Sequence, residues 1–482
     1  MTRTRFAPSP TGYMHIGNLR TALYAYLIAK SQGGRFILRI EDTDQQRYVE
    51  GAVDTILSSL QKAGLHYDEG PGVGGEYGPY IQSERKSGYL GYAKKLVESG
   101  HAYYCFCTKE RLAELKTEQG AYRYDGHCAG LSREEVEEKL ASGDPYVIRQ
   151  KMPREGATVF TDAVYGEIAV DNEELEDQIL IKTDGMPTYN FANVIDDHLM
   201  DITHILRGSE YLSSTPKYSL LYAALGWAPP TYVHLPLITK EGGKKLSKRE
   251  GDFSFEDLMA QGYLPEAIVN YIVLLGWSPG DEREIFSLKE LTEVFSVKGI
   301  NKSPSVFDMN KLKWMNGEYL HSLSPDAFHE AALPWIRKGI ERQDIDTVYL
   351  AGLLQKRTEV LSDIIETVDF VDTLPDYDAD LYLHKRQKCR YDNSLTSLKA
   401  AREALAALTE WSQESVHESL FGLIASKQIK TGQMMWPVRT ALSGKSFSPG
   451  GGVDLAVLLG REETLDRIDT GIAMLEKAIE AE

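Results

Sequence analysis

The residues best suited to chemistry near the start of the chain are His15 and Gly17, within the run Pro8-Ser9-Pro10-Thr11-Gly12-Tyr13-Met14-His15-Ile16-Gly17-Asn18. The preceding segment, Arg3 to Ala7, can form only a short strand, because the prolines that follow it remove hydrogen-bond donors. Apolar residues recur at helical spacing from Leu19 onward. His15 and Gly17 therefore lie where a strand meets a helix N-terminus, a place where free backbone N–H groups bind phosphate. A proline-rich turn capped by a histidine fits the same spacing equally well.

A second group of candidate residues follows the next predicted strand, Arg35 to Ile40, and reads Glu41-Asp42-Thr43-Asp44. Acidic residues at the carboxyl end of a strand in a parallel sheet face the ligand crevice. Asp42 and Asp44 are better explained as caps of a helix from about Tyr48 to Ala63. Glu41 remains a candidate ligand-binding residue.

A third group is the basic loop Lys240-Glu241-Gly242-Gly243-Lys244-Lys245-Leu246-Ser247-Lys248-Arg249, which follows an apolar strand from His234 to Ile238. Its five cations and its Gly-Gly hinge could close over a polyphosphate and neutralise charge in a transition state. A solvated basic loop is the alternative, and the isolated sequence favours that alternative.

Three of the four cysteines, Cys105, Cys107 and Cys128, lie close together in the sequence. With either Tyr124 or His127 they supply four ligands for a tetrahedral structural zinc ion. Three unrelated buried thiols are the alternative, since a Cys-x-Cys pair is less specific than two Cys-x-x-Cys pairs.

The composition is that of an ordinary globular protein, and 482 residues allow about three to four domains. The start has no apolar signal core and no apolar run is long enough to span a bilayer, so we expect a cytoplasmic protein. The net charge of −18 argues against indiscriminate binding of DNA or membranes, while a specific partner could bind through local basic patches.

The run around His15 resembles the HIGH signature of class I aminoacyl-tRNA synthetases, and Lys245-Leu246-Ser247-Lys248-Arg249 resembles their KMSKS signature. Together with Arg39-Ile40-Glu41-Asp42-Thr43-Asp44, the chain resembles the glutamyl-tRNA synthetases of bacterial type over essentially its full length. Asn18 and Arg249 depart from the signatures, in a way that this subfamily shares.

The resemblance implies an α/β fold. It comprises a Rossmann-type catalytic domain with a doubly wound parallel sheet, an inserted α+β domain, and all-helical anticodon-binding domains at the C-terminal end. The expected segments are 1–84 and 189–253 for the two catalytic halves, 85–188 for an acceptor-stem-binding insertion, 254–323 for stem contacts, and 324–482 for the anticodon-binding region.

The resemblance also implies roles for individual residues. His15, Lys245 and Lys248 are expected to be catalytic. ATP is expected to contact His15, Gly17, Asn18, Glu210, Tyr211, Leu212 and Lys248. Glutamate is expected to contact Arg5, Ser9, Glu41, Tyr189, Asn193 and Arg207. The zinc ligands would be Cys105, Cys107, Tyr124 and Cys128, with His127 as the alternative fourth ligand.

The chemistry of glutamate fits this assignment, because two carboxylates need cationic partners and one ammonium needs an acid. Arg5 and Arg207 suit the carboxylates, and Glu41 suits the ammonium. Sequence alone favours a surface ion pair between Arg207 and Glu210 instead. Farther along the chain, we expect Trp314 to pack in a core, and three basic residues are candidate anticodon contacts: Arg357, Arg439 and Lys445.

The implied activity is activation of L-glutamate by ATP with Mg²⁺, usually with tRNA bound, and transfer to the 3′ end of tRNA(Glu). The implied protein is a monomer that holds one structural Zn²⁺, and tRNA(Gln) is a second candidate substrate. Three alternatives remain. The first is a catalytically silent tRNA-binding scaffold. The second is a glutamyl-queuosine tRNA(Asp) synthetase, a relative that lacks the long helical region. The third is a glutaminyl-tRNA synthetase, whose anticodon region is built of β-barrels.

The basic loop makes a first testable prediction. Lys248→Ala should lower turnover on the order of 100-fold or more while the fold survives, because the variant loses a contact made to the transition state. Glutamate-dependent pyrophosphate exchange, measured with tRNA present, checks it. Near-normal exchange in the variant would contradict the assignment of Lys248.

Overall fold

The computed structural model describes residues 1–12, 14–115, 123–244 and 254–481. Within these ranges the chain divides into two compact units, one formed by 1–259 and 265–309 and the other by 260–264 and 310–482. The strands all lie in the first unit: β1 Arg3–Phe6, β2 Arg35–Leu38, β3 Ala102–Cys105, β4 Val147–Gln150, β5 Ala157–Asp162, β6 Gly166–Asp171, β7 Ile179–Ile181, β8 His204–Gly208, β9 Thr231–Leu235, β10 Ile238–Thr239 and β11 Ser305–Val306.

The first unit contains ten helices in the described part of the chain: α1 Ile16–Ser31, α2 Ala52–Lys62, α3 Lys86–Glu98, α4 Lys109–Glu114, α5 Arg133–Ala141, α6 Tyr189–Leu199, α7 Thr215–Ala224, α8 Phe255–Ala260, α9 Pro265–Leu274 and α10 Leu288–Val294. Several of them begin at a side-chain cap or at a proline in the first turn. Ser132 and Glu135 form a capping box at α5, and Pro216 lies in the first turn of α7.

The large sheet has the strand order β2-β1-β8-β9-β5-β6. Strands β2, β1, β8, β9 and β5 pair in parallel, and β6 is antiparallel to β5. The connection through α1 leads outward from β1 to β2, whereas α7 leads from β8 in the opposite direction to β9. The order of strands therefore reverses between β1 and β8, and the carboxyl ends of these two strands are where ligands bind in open α/β sheets.

The β5–β6 hairpin lies in the segment predicted to be an insertion, yet it extends the large sheet through β9. The rest of that segment forms a separate antiparallel sheet, β3-β4-β7. This small sheet shares a hydrophobic core with α3, α6 and α7, in which Tyr89, Ile148, Phe191 and Tyr222 are buried. The segment predicted to be an insertion and the segments predicted to be catalytic thus pack into one compact unit.

The second unit is helical in the part that the structure describes. Its helices are α11 Met309–Ser322, α12 Pro325–Gly339, α13 Thr347–Gln355, α14 Asp363–Val368, α15 Tyr391–Ala406, α16 Gln413–Lys427, α17 Thr431–Ser443, α18 Gly452–Leu459 and α19 Arg461–Ala481. Leu398 and Leu405 are fully buried in its core, and Leu408 packs against that core, as the helical spacing predicted.

The predicted fold class is confirmed: a parallel-dominated α/β sheet precedes a helical C-terminal region. No helix among the described residues is both long and apolar enough to cross a bilayer. The domain boundaries at 84, 188, 253 and 323 stay predictions.

The interpretations of three residues are wrong. Asp42 does not cap α2, because that helix begins after Gly51 and Oδ1 of Asp42 instead accepts a hydrogen bond from the backbone N–H of Ser83. Asp44 precedes a short 3-10 turn without a side-chain cap and instead pairs with Arg47. Trp314 is not a core residue, since 41% of its surface is exposed.

Candidate functional site

A cavity of about 490 Å³ opens at the carboxyl ends of β1 and β8. Many of the predicted ligand-binding residues lie on its wall: Arg5, Ser9, His15, Gly17, Asn18, Tyr189, Arg207, Glu210 and Tyr211. The topology brings them together, because β1 runs directly into the turn before α1, while β8 runs into the segment before α7. Glu41, Asn193 and Leu212 lie off this wall, and Lys245 and Lys248 lie outside the described residues.

His15 is the N-cap residue of α1. Its Nδ1 accepts a hydrogen bond of 3.0 Å from the backbone N–H of Gly17. The capping interpretation of this histidine is therefore correct, and it is compatible with a place on the cavity wall. The N–H of Gly17, which we expected to be free, is engaged by His15. A Cβ added at Gly17 would lie 3.4 Å from that same Nδ1, which is an ordinary van der Waals distance, so a methyl group would fit beside His15.

The wall of the cavity is backed by a buried carboxylate, Asp197 on α6. It binds Arg5 with two hydrogen bonds of 2.9 and 3.1 Å, and its Oδ1 lies 2.8 Å from Nη1 of Arg39. Burial alone would raise the pKa of Asp197, but the charges of Arg5 and Arg39 hold that pKa below its ordinary value. The guanidinium of Arg5 is thereby held in one orientation at the cavity.

Arg207 is buried and does not form the surface ion pair with Glu210 that sequence alone favoured. Its Nη2 donates to Oδ1 of Asn193 at 2.7 Å, and the same nitrogen lies 4.0 Å from Asp197. The guanidinium lies 4.5 Å from the ring centroid of Tyr218, and the rings of Tyr189 and Tyr211 lie within 6 Å of it. Its Nε has no hydrogen-bond partner among the described residues. Arg207 thus retains a donor for a ligand while its charge is stabilised by aromatic rings.

Glu41 is fully buried beside Arg39. Its Oε1 accepts a hydrogen bond of 2.7 Å from Arg39, whereas Oε2 has no hydrogen-bond partner in the described part of the chain. Burial raises the pKa of Glu41, and the nearby charges of Arg39 and Arg5 oppose the rise only in part. A buried carboxylate oxygen without a partner is costly in the free protein, and a cationic ligand group would satisfy it.

The buried charges around Asp197 do not cancel. Three guanidinium groups, those of Arg5, Arg39 and Arg207, face two carboxylates, those of Asp197 and Glu41. The neighbouring Asp196 is paired with Arg85 at 2.7 Å. The arrangement therefore leaves a net positive charge, which suits a ligand that carries one net negative charge.

Sequence reasoning missed Asp197, Arg20 and Arg47, although the last two also line the cavity. The local signal for Asp197 was its place at the end of a largely apolar helical segment, Phe191-Ala192-Asn193-Val194-Ile195-Asp196-Asp197. Sequence could not indicate its partners, because Arg5 lies 192 positions away.

The three cysteines of the first unit come together, with their Sγ atoms within 4.8 Å of one another. The hydroxyl of Tyr124 lies 3.3 Å from Sγ of Cys105 and 3.6 Å from that of Cys107, and Cys107 lies 3.6 Å from Cys128. Ligand atoms around a tetrahedral zinc ion are about 3.3 to 3.8 Å apart, so these four atoms could hold one. His127 is exposed, which favours Tyr124 as the fourth ligand.

A positive group lies beside these four atoms. The guanidinium of Arg149 lies 3.9 Å from the ring centroid of Tyr124, and its Nε donates to Sγ of Cys105 at 3.4 Å. A fixed cation stabilises the anionic forms of thiol and phenol that bind a metal ion.

Comparison of the chain with known proteins identifies the family to which it belongs. Residues 1–314 match the model for the catalytic domain of class I tRNA synthetases (E and Q), and residues 327–472 match an anticodon-binding domain. A glutamate–tRNA ligase of Clostridium botulinum is 59% identical over 480 residues, which cover 98% of this chain and 99% of that relative.

Two solved structures are similar over the full length. The glutamate–tRNA ligase of Elizabethkingia meningosepticum, solved in complex with its amino acid, is 37% identical with a TM-score of 0.87. The glutamate-tRNA synthetase of Elizabethkingia anophelis is 37% identical with a TM-score of 0.89. Each comparison covers 98% of this chain and 99% of the other.

The opposite pKa shifts of the two buried carboxylates predict opposite effects of neutralising them. The lowered pKa of Asp197 means that its contribution to stability is present above the unfolded-state pKa and is lost as the pH falls through the folded one. Asp197→Asn should therefore destabilise the protein at pH 7 by about 3 kcal/mol. The raised pKa of Glu41 means that its contribution to stability is present below the unfolded-state pKa and is lost as the pH rises through the folded one. The free energy of unfolding of Glu41→Gln should therefore increase relative to that of the parent as the pH rises from 4 to 8.

Thermal unfolding of both variants across this pH range checks the prediction. If Asp197→Asn were as stable as the parent at pH 7, the proposed role of Asp197 as the partner of two arginines would be wrong.

The geometry of the cysteine cluster predicts which residue completes the zinc site. Protein purified without chelators should contain about one zinc ion per chain. Tyr124→Phe should lose zinc more readily to a chelator, because the variant has only three ligands, whereas His127→Ala should behave like the parent. Metal analysis during chelator titration checks this. Zinc retention by Tyr124→Phe, with loss in His127→Ala, would reverse the assignment.

Proposed function

The chain belongs to the class I tRNA synthetases (E and Q). Within this family, we propose that it is a glutamate–tRNA ligase. It activates L-glutamate with ATP and Mg²⁺, releases diphosphate, and transfers the glutamyl group to the 3′ end of tRNA(Glu). The observation that carries the proposal is the charged pocket at the β1–β8 crevice, in which Arg5 and Arg207 come together with Glu41 behind them. This pocket matches the charges of one amino acid.

The first step is attack of a glutamate carboxylate oxygen on the α-phosphorus of ATP, with diphosphate as the leaving group. A carboxylate needs no general base, so the protein contributes orientation of the reactants and stabilisation of the developing charge. His15 and Gly17 at the start of α1 are proposed to hold ATP, together with Asn18, Glu210, Tyr211 and Leu212. Lys245 and Lys248 are proposed to stabilise the departing diphosphate.

Selection of glutamate over glutamine follows from the charge balance of the pocket. Glutamate carries two carboxylates and one ammonium, and its net charge of −1 cancels the excess positive charge of the buried cluster. Glutamine is neutral overall and would leave one guanidinium without a compensating charge in a buried site. Arg5 and Arg207 are proposed to bind the two carboxylates, with Ser9, Tyr189 and Asn193 around the ligand.

Glu41 is proposed to bind the ammonium group of glutamate through Oε2. The free protein leaves this oxygen without a hydrogen-bond partner among the described residues, and burial raises the pKa of the carboxyl. A bound ammonium would favour the ionised form and recover the interaction that the free protein lacks. The unpaired Oε2 of Glu41 therefore destabilises the free protein, and only ligand binding offsets this loss of stability.

The remaining segments are proposed to bind tRNA. Segment 85–188, with its zinc site, would contact the acceptor stem, 254–323 would contact the stem farther along, and 324–482 would bind the anticodon. Within the second unit, Arg357 and Arg439 both bind Ser448, through its carbonyl and its hydroxyl, and Phe447 beside it is 84% exposed. An exposed aromatic ring next to two arginines suits single-stranded bases.

Lys445 is a weaker anticodon candidate, because it is paired with Asp369. We further propose that the protein acts as a cytoplasmic monomer and that tRNA(Glu) is the main RNA substrate. The choice between tRNA(Glu) and tRNA(Gln) depends on which anticodon bases the second unit binds.

Aminoacylation of separate tRNA(Glu) and tRNA(Gln) transcripts, each with glutamate and with glutamine, tests the proposed function. We expect glutamate to be attached to tRNA(Glu), and glutamine to be used with a kcat/KM lower by a factor on the order of 1,000 or more. Binding of tRNA without release of diphosphate would instead support a silent scaffold. Charging of tRNA(Asp) alone would support the queuosine-modifying relative, and efficient use of glutamine would contradict the charge-balance explanation.

A further inference from the structure

Arg20 is a buried cation on the cavity wall that the mechanism above does not use. It lies on α1, five positions after His15, and only 3% of its surface is exposed. It lines the same cavity as His15, Gly17 and Glu210. The helix that begins at the proposed ATP-binding histidine therefore also carries a guanidinium group into the site.

The partners of Arg20 are neutral. Its Nη1 donates to the carbonyl oxygen of Leu275 at 2.8 Å, and its Nη2 donates to the carbonyl oxygen of Pro236. Its Nε has no hydrogen-bond partner, and no carboxylate in 1–12, 14–115, 123–244 or 254–481 forms an ion pair with it. Two carbonyl groups orient the guanidinium but do not neutralise it, and an uncompensated buried charge is costly.

This distinguishes Arg20 from the other buried arginines of the site. Arg5 and Arg39 are paired with Asp197, and Arg207 lies near the same carboxylate with aromatic rings around it. Burial lowers the pKa of Arg20, with only partial compensation from Tyr24 and Glu210. An anion entering the cavity would supply the missing compensation.

The position of Arg20 indicates which part of the ligand supplies that charge. Pro236 directly precedes Leu237 and Ile238, which also line the cavity and lead toward the lysine loop. Arg20 is thus fixed between the helix that begins at His15 and the strand end before that loop. In the proposed reaction the triphosphate is the strongly anionic group between these two elements.

We propose that Arg20 is a further binding residue for the phosphate chain of ATP, and that its buried positive charge is compensated by the phosphates and by the diphosphate product. The proposal rests on the proposed function, because it assumes that ATP occupies this cavity. It assigns Arg20 to nucleotide binding and leaves glutamate recognition to Arg5, Arg207 and Glu41.

Three variants test this assignment. Arg20→Gln removes the charge, and Arg20→Lys retains it while losing the planar pair of donors. Tyr24→Phe is the matched control, because Tyr24 lies one turn farther along α1, is fully buried, and donates to the same carbonyl of Leu275 at 3.2 Å and to that of Val273 at 2.8 Å. It loosens the same packing without changing the charge.

The measurements are KM for ATP and for glutamate in tRNA-dependent pyrophosphate exchange, and the shift in melting temperature caused by magnesium diphosphate. Arg20→Gln should raise KM for ATP about tenfold or more, leave KM for glutamate within about twofold, and lose most of the diphosphate-induced shift. Arg20→Lys should keep KM for ATP within about threefold, and Tyr24→Phe should leave both KM values unchanged despite a lower melting temperature.

Two outcomes would contradict the proposal for Arg20. An Arg20→Gln protein with the parent's KM for ATP would show that the charge is compensated within the chain. If Arg20→Gln failed to fold, Arg20→Lys would decide, since a tenfold rise in its KM for ATP despite a retained charge would indicate a structural role. A parent that charges no tRNA with glutamate would overturn the proposed function instead.

Discussion

The buried ion pairs of Asp197 hold the ligand crevice together. One carboxylate on α6 binds Arg5 from β1 and Arg39 from the end of β2, and it lies within 4.0 Å of Arg207 on β8. These elements come from opposite sides of the point where the strand order reverses. Packing alone could not orient three long charged side chains there, because guanidinium groups remain mobile unless their donors are bound.

A site built from buried charges carries a cost before any ligand binds. Glu41 has an oxygen without a partner, Arg207 and Arg20 each have an unpaired Nε within the described part of the chain, and the charges near the cavity sum to a positive value. These features lower the stability of the free protein and raise the affinity for a ligand that completes them. The pocket is therefore organised to bind a charged ligand rather than to maximise the stability of the free protein.

Polar contacts connect the hairpin β5–β6 to the wall of the cavity. Asp162 at the end of β5 accepts a 2.7 Å hydrogen bond from Nδ1 of His234 on β9, and Nε2 of His234 lies 3.2 Å from the hydroxyl of Thr215. That hydroxyl donates to the carbonyl of Tyr211, a residue on the cavity wall. This chain of polar contacts links β5, β9 and α7, and such networks favour one arrangement of the elements that they join.

Much of the fold and the composition of the site could be predicted from local signals in the sequence. Prolines, glycines and apolar spacing locate β1, α1 and β2. The two signatures, together with Arg39 to Asp44, indicate the family, and that resemblance gave His15, Arg5 and Glu41 as candidate site residues. These signals are local because the backbone conformation of a short segment depends mainly on its own residues.

The tertiary structure alone decided which charges face each other. Asp197 and Arg5 are 192 positions apart, Arg207 is buried among tyrosines rather than paired with Glu210 on the surface, and Trp314 is exposed rather than in a core. A side chain's partner and its burial depend on which elements pack together, and periodicity within one element carries no information about its neighbours. Sequence therefore determined what kind of site the chain builds, and only the packing of distant strands and helices determined which of its charges are left for a ligand.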